Sequence, residues 1–130
     1  MSEANELDGH LVDGHLVFVY GSLKRGFYNH RRLRRHTYLA NVVTEPCFAL
    51  YGLGRYPGMI RTSHQPHEVH GELWQVDERG LIDLDRLEVN GRLYQRELIP
   101  VFNELCRWQA WAYLYLGDVS GCEEVGTVWR

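Results

Sequence analysis

The run Leu16-Val17-Phe18-Val19-Tyr20 stops abruptly at Gly21-Ser22, and this junction constrains the chain more than any other feature. Five successive apolar residues without alternation suit a strand buried on both faces. The turn that follows exposes backbone N–H groups, and such a turn can hold an anion or a carbonyl oxygen. Downstream, Thr37 to Glu45 and Cys47 to Tyr51 are rich in Thr, Val, Tyr and Phe, and predict two strands or one bent one broken by Pro46. Glu68 to Val76 alternates, with Val69, Gly71 and Leu73 on one side and His70, Glu72, Trp74 and Val76 on the other. Which side meets the core is open. Tyr94 to Phe102 and Trp108 to Leu116 are long enough to pair as a hairpin. Asn29 is placed to cap a short helix through Arg35, and Asp77 one through Leu87. Gly117 to Arg130 has little periodicity, with Trp129 as its candidate docking residue. About six strands and two short helices without regular βαβ alternation predict an α+β fold, a small mixed and strongly curved sheet or barrel.

A chain of 130 residues is expected to form one domain that buries roughly 65–70% of its unfolded surface. Residues 1–14 are expected to be a flexible extension, because Asp8-Gly9-His10-Leu11-Val12 repeats as Asp13-Gly14-His15-Leu16-Val17 and only the second copy leads into a strand. With 14 basic against 17 acidic residues the net charge is −3, which gives no general attraction to polyanions. The basic cluster of Arg31, Arg32, Arg34 and Arg35 either contacts phosphates or is a solvated helix face. No aromatic stacking platform accompanies it, so no nucleic-acid partner is expected. No apolar run approaches ~18 residues and the opening Met-Ser-Glu-Ala has no leader character, which predicts no membrane partner and a cytoplasmic address. Cys47, Cys106 and Cys122 lack CxxC spacing and are expected to be free thiols.

Gly52 to Gly58 is turn-rich but has neither GxGxxG spacing nor a following helix, so it is not a nucleotide loop. His64, His67 and His70 recur every third residue around Glu68 and Glu72. Residues three apart on a strand face opposite ways and HExxH is absent, so no metal is expected, although a loop can gather His64 and His67.

Glu88 is the acidic residue whose position is most unusual. Leu81, Leu84 and Glu88 stand at i, i+3 and i+7, which puts the carboxyl group on the apolar stripe of the predicted helix. It also stands at the C-terminal end, where the macrodipole disfavours negative charge. Burial and dipole both raise a carboxyl pKa toward the range useful for proton transfer. The alternative is a frayed helix end that leaves Glu88 in water.

Several segments together resemble the γ-glutamylcyclotransferase superfamily, from about Leu16 to Leu116. They are Tyr20-Gly21-Ser22-Leu23 with Lys24-Arg25-Gly26 and Asn29-His30, then Arg55-Tyr56-Pro57-Gly58, then His70-Gly71-Glu72-Leu73-Trp74 with Val76-Asp77. Leu84-Asp85-Arg86-Leu87-Glu88, Leu93-Tyr94-Gln95-Arg96 and the strand from Ala110 to Tyr115 complete the set. The resemblance implies the same fold, a catalytic Glu88, and a turn at Tyr20, Gly21, Ser22 and Leu23 whose amides bind the polar end of a γ-glutamyl group. It further implies substrate-binding roles for Tyr115 and Tyr94, and a cyclisation to 5-oxoproline without cofactor or covalent intermediate. Ser22 lacks a Gly-x-Ser-x-Gly elbow and need not be a nucleophile. Val89 departs from the resemblance, standing where related sequences commonly carry a small residue. Matches around Tyr20 and Tyr94 favour the γ-glutamylamine branch, whereas Leu50 to Gly58 and the Ala-Trp strand favour a small bacterial branch. The rival reading is a noncatalytic small-molecule-binding or regulatory module on the same fold. Oligomeric state is not legible.

Overall fold

The apolar run forms strand β1 (His15–Val19), which pairs antiparallel with β5 (His70–Val76) and parallel with β7 (Arg107–Tyr115). The computed structural model describes residues 14–27 and 29–130, so the first copy of the Asp-Gly-His-Leu-Val repeat lies outside the described residues. With β2 (Thr37–Thr44) and β6 (Tyr94–Phe102), these strands close a barrel in the order β1-β5-β2-β6-β7. A second sheet, in the order β4-β3-β8, is built from β3 (Phe48–Gly52), β4 (Pro57–Arg61) and the two-residue β8 (Glu123–Glu124). The α+β barrel matches the sequence expectation. Strands β4 and β8 were not anticipated: the first emerges from the segment read as turn, and the second is too short to show a period.

β1 is covered on both faces, as its composition predicts. Phe18 and Tyr20 join Val42, Phe48, Leu50, Met59, Leu73, Ile99 and Leu114 in one cluster. Val17 and Val19 face a second cluster with Leu23, Leu33, Trp74, Leu81, Leu84, Tyr94 and Tyr113. Both sides of β5 therefore meet apolar layers, Leu73 on one and Trp74 with Val76 on the other. At about 25 cal/mol per Å² of apolar surface, this double burial stabilises β1 more than a one-faced strand.

The helix predicted after Asp77 is α1 (Glu78–Leu87), and Asp77 caps it by accepting from the Gly80 N–H at 2.7 Å. The helix expected from Asn29 to Arg35 is only a single 3-10 turn, His30–Leu33. Asn29 makes no side-chain cap bond to it, and its amide nitrogen donates to Ser22 Oγ at 2.9 Å. Among the described residues no helix is long and apolar enough to cross a membrane.

Candidate functional site

The turn after β1 lies against the start of β4, and glycine makes the approach possible. A Cβ on Gly21 would stand 2.9 Å from both Cγ and Cδ of Pro57. The carbonyl oxygens of the turn are all engaged: Gly21 accepts from the Lys24 N–H at 3.0 Å, Ser22 from the Asn29 N–H at 2.8 Å, and Leu23 lies 3.1 Å from His30 Nδ1. Among the described residues nothing accepts from the N–H groups of Gly21, Ser22 or Leu23. Three adjacent donors without a protein acceptor among the described residues suit an anion or an oxyanion.

These residues line a cavity of about 190 Å³ together with Glu88, Leu87, Leu93, Tyr94, Tyr113, Tyr56 and Pro57. Glu88 is held there by the end of α1. The Asn90 N–H bonds to Asp85 O at 2.9 Å and the Val89 N–H to Arg86 O at 3.2 Å, which is the pairing of a Schellman motif. The left-handed position of that motif is Val89, with φ of 51°. Burial pushes the Glu88 carboxyl up to about 7. Burial is one of the two causes expected from the sequence.

The buried tyrosines have already committed their hydroxyls. Tyr20 donates to Tyr113 O at 2.6 Å and accepts from the Met59 N–H at 3.2 Å. Tyr94 donates to Pro57 O at 2.8 Å, and Tyr113 to Asp85 Oδ1 at 2.6 Å. Burial, reinforced by the nearby Glu88 carboxylate, holds Tyr20 and Tyr94 above the usual phenol range. Burial and the bond to Asp85 do the same for Tyr113. Arg96 Nε also reaches Asp85 Oδ1, at 2.8 Å, and so ties the last turns of α1 to β6. Among the described residues Glu88 is thus the one carboxylate on the cavity wall, beside phenols that supply ring surface rather than protons.

Of the residues singled out in the sequence, Glu88, Tyr20, Gly21, Ser22, Leu23 and Tyr94 converge on this cavity. Tyr115 does not reach its wall. It stands opposite Tyr94 in the β6–β7 register, with ring centroids 5.4 Å apart at 62°, and backs that ring. Ser22 Oγ is paired with Asn29, and His30 turns to Leu23 O, so no nucleophile–base pair forms there. Tyr113, Tyr56 and Pro57 line the cavity without having been singled out. Tyr113 was within reach of the two-residue strand period, since it shares a face with Tyr115.

A second, larger cavity of about 670 Å³ is bordered by Lys24, Glu72, Phe102 and Leu105. Its buried charges serve the fold: Lys24 Nζ donates to Trp129 O at 2.8 Å, and Glu72 accepts from the Arg25 N–H and Trp74 Nε1, each at 3.1 Å. The smaller cavity holds the unspent donors and the shifted acid, and is therefore the candidate site. His67 and His70 each meet a different carboxylate, Glu124 at 3.0 Å and Glu68 at 3.3 Å. No group of three or more metal-ligating side chains gathers among the described residues. The three cysteines are free thiols.

The sequence model of the family described as gamma-glutamyl cyclotransferase, AIG2-like, matches residues 17–129. A Vibrio cholerae protein carrying the provisional name gamma-glutamylcyclotransferase is 45% identical over 101 residues, covering 78% of this chain and 82% of its own. The gamma-glutamylcyclotransferase family protein YtfP of Escherichia coli is 33% identical over 105 residues, 81% of this chain and 86% of that protein. The crystal structure of an AIG2-like protein from Mus musculus superposes with a TM-score of 0.72 at 27% identity, covering 87% of this chain and 86% of that one.

Proposed function

The chain belongs to the gamma-glutamyl cyclotransferase, AIG2-like family, and from that premise we propose that it cyclises a γ-glutamyl small molecule to 5-oxoproline and a free amine. Such a substrate carries its own nucleophile, since its α-amino nitrogen closes a five-membered ring on the γ-carbonyl carbon. Holding that conformer replaces a bimolecular attack by an intramolecular one. The α-ammonium must first lose a proton, and Glu88 takes it. The new C–N bond forms, the amide C–N bond breaks as Glu88 returns that proton to the departing nitrogen, and the freed carboxylate takes the second proton that the ring nitrogen sheds and passes it to the released amine. One group serves these transfers, which suits a carboxyl near pKa 7. The N–H groups of Gly21, Ser22 and Leu23 bind the carbonyl oxygen as it gains charge, or the substrate's α-carboxylate. Tyr94, backed by Tyr115, and Tyr20 shape the pocket around the folded γ-glutamyl chain.

The observation that carries this reading is that a raised carboxyl and three turn amides without a protein acceptor among the described residues line one small cavity. The test is a screen of γ-glutamyl amines, γ-glutamyl amino acids, γ-glutamyl-ε-lysine and glutathione for release of 5-oxoproline. Turnover of at least one class, above a heat-killed control, is expected. If a folded sample turns over none of them, a noncatalytic binding module on this fold becomes the better description.

A further inference from the structure

The larger cavity shares no lining residue with the candidate site. At about 670 Å³ it falls within the roughly 300–1,000 Å³ that small-molecule sites occupy. Its apolar lining is Val42 and Val43 of β2, Phe102 at the end of β6, Leu105 in the turn that follows, and Val128 of the C-terminal segment. Asn103 Oδ1 accepts from the Leu105 and Cys106 N–H groups, each at 2.9 Å, and so pins that turn. Leu105 is held there 89% exposed, an apolar side chain at the rim of the cavity. Among the described residues one buried cation stands in the lining, Lys24, which is 7% exposed. An ammonium has three N–H donors. Among the described residues one oxygen accepts from it, Trp129 O, and the Phe27 ring lies 4.7 Å from Nζ. Burial lowers the Lys24 pKa from the usual lysine range, Glu72 acts against that shift and Arg130 adds to it. Glu72 offsets the charge only in part, because its Oε1 serves the Arg25 N–H and Trp74 Nε1 and its Oε2 lies 3.3 Å from Arg25 Nε.

A buried charge is costly until it is both paired and hydrogen-bonded. We infer that the larger cavity is a second binding site, for a small monocarboxylate with an apolar body, its carboxylate on Lys24 and its body against Phe102, Leu105 and Val128. The other charged groups of the lining leave that preference intact. His70 is exposed and meets Glu68 at 3.3 Å, and Glu104 stands on the exposed turn, where solvent and salt screen it. A neutral ligand would leave the ammonium as it is, and a cationic one would repel it. The inference stands apart from the cyclotransferase reading and is tested without turnover.

The experiment titrates 3-phenylpropionate into the full chain and follows its backbone amides by NMR, beside 3-phenylpropionamide, 3-phenylpropylamine and acetate. The acid should shift the amides of Val43, Gly71, Leu105 and Val128 saturably. It should bind at least about tenfold more tightly than its amide, because a hydrogen bond between charged groups is worth more than one to a neutral group. The amine and acetate should bind more weakly than the acid, since one carries the wrong charge and the other lacks the apolar body. Lys24→Met should abolish the preference for acid over amide. Because that substitution also removes the bond to Trp129, Leu105→Asp is the second variant. Its exposed position tolerates a charge with little cost in stability, and the new carboxylate should weaken binding of the acid more than that of the amide. Equal binding of acid and amide overturns the inference, as does an acid preference that survives in folded Lys24→Met. Shifts confined to the residues of the smaller cavity, or no saturable shift with any of these compounds, overturn it too.

Discussion

Glu88 carries a cost that the rest of its helix does not, and that cost is measurable apart from any activity. Its carboxyl is raised from 4.5 to about 7 by burial, so between those values the folded state holds a proton that the unfolded chain has released. Stability therefore falls as pH rises through that window and levels off above it. The loss is at most about 3 kcal/mol at 1.36 kcal/mol per pKa unit. Glu88→Gln should flatten the slope in urea melts taken from pH 5 to 8, and should match or exceed the wild type at pH 8. A slope that survives the substitution would assign it to another group. The same variant keeps the shape of the side chain but not its proton chemistry, so turnover should drop by roughly 10²–10⁴-fold. The acid limb of kcat/KM near pH 7 should disappear from the residual activity. Retention of more than about a tenth of the wild-type rate would be outside this expectation. The position of Glu88 was legible because it is set by one helical period and by Leu81 and Leu84. Pro57 was not, since it reaches the cavity only through the pairing of distant segments.

At the level of elements, the end of α1 shows both what a sequence reveals and what it hides. Asp77 and the apolar period predict the helix, and the Asp85–Arg96 pair at 2.8 Å gives the spacing of Leu-Asp-x-x-Glu to Tyr-x-Arg a physical reason. The residue after Glu88 is different. A Schellman ending wants glycine at its left-handed position, and this chain puts a β-branched valine there at φ 51°. Left-handed backbone costs a non-glycine residue about 1–2 kcal/mol, and glycine returns about 0.5–1 kcal/mol of that as chain entropy. Val89 is 40% exposed, so its side chain contributes little packing. Val89→Gly should therefore raise stability by up to about 1 kcal/mol, a Tm increase of a few degrees. Turnover should stay within a few-fold, because the bonds that aim Glu88 are backbone bonds. A lower Tm would show that Val89 makes contacts worth more than its strain. Beside this, the helix expected from Asn29 is one 3-10 turn, and the Asn29 amide nitrogen donates to Ser22, a contact that depends on where the turn after β1 folds.

Across the whole molecule, the cavity draws on residues near 20, 56, 88, 94 and 113, so its shape depends on the barrel and the second sheet staying in register. The C-terminal segment, in which the sequence showed little period, helps hold that register. β8 pairs with Tyr51 and Gly52 on the edge of β3, the Val125 N–H bonds to Leu50 O at 3.0 Å, and the His70 N–H bonds to Thr127 O at 2.8 Å. Lys24, buried just past the turn after β1, donates to Trp129 O, and so docks the segment at the tryptophan expected to do so. These bonds tie both sheets and the turn together. Removing residues 123–130 should unpair the β3 edge, leave the buried Lys24 ammonium without its carbonyl and expose the surface under Val125. Net hydrogen bonds worth about 1 kcal/mol each, together with the apolar surface returned to water, give a destabilisation of roughly 3–5 kcal/mol. The truncated chain should then melt on the order of 10 °C lower. It should also associate more readily, because an unpaired strand edge templates pairing with other chains. Thermal melts and light scattering on the full and truncated chains decide the matter. A truncated chain that melts within about 2 °C of the full one would mean that the segment merely lies on the barrel and that the cavity is held by the five barrel strands alone.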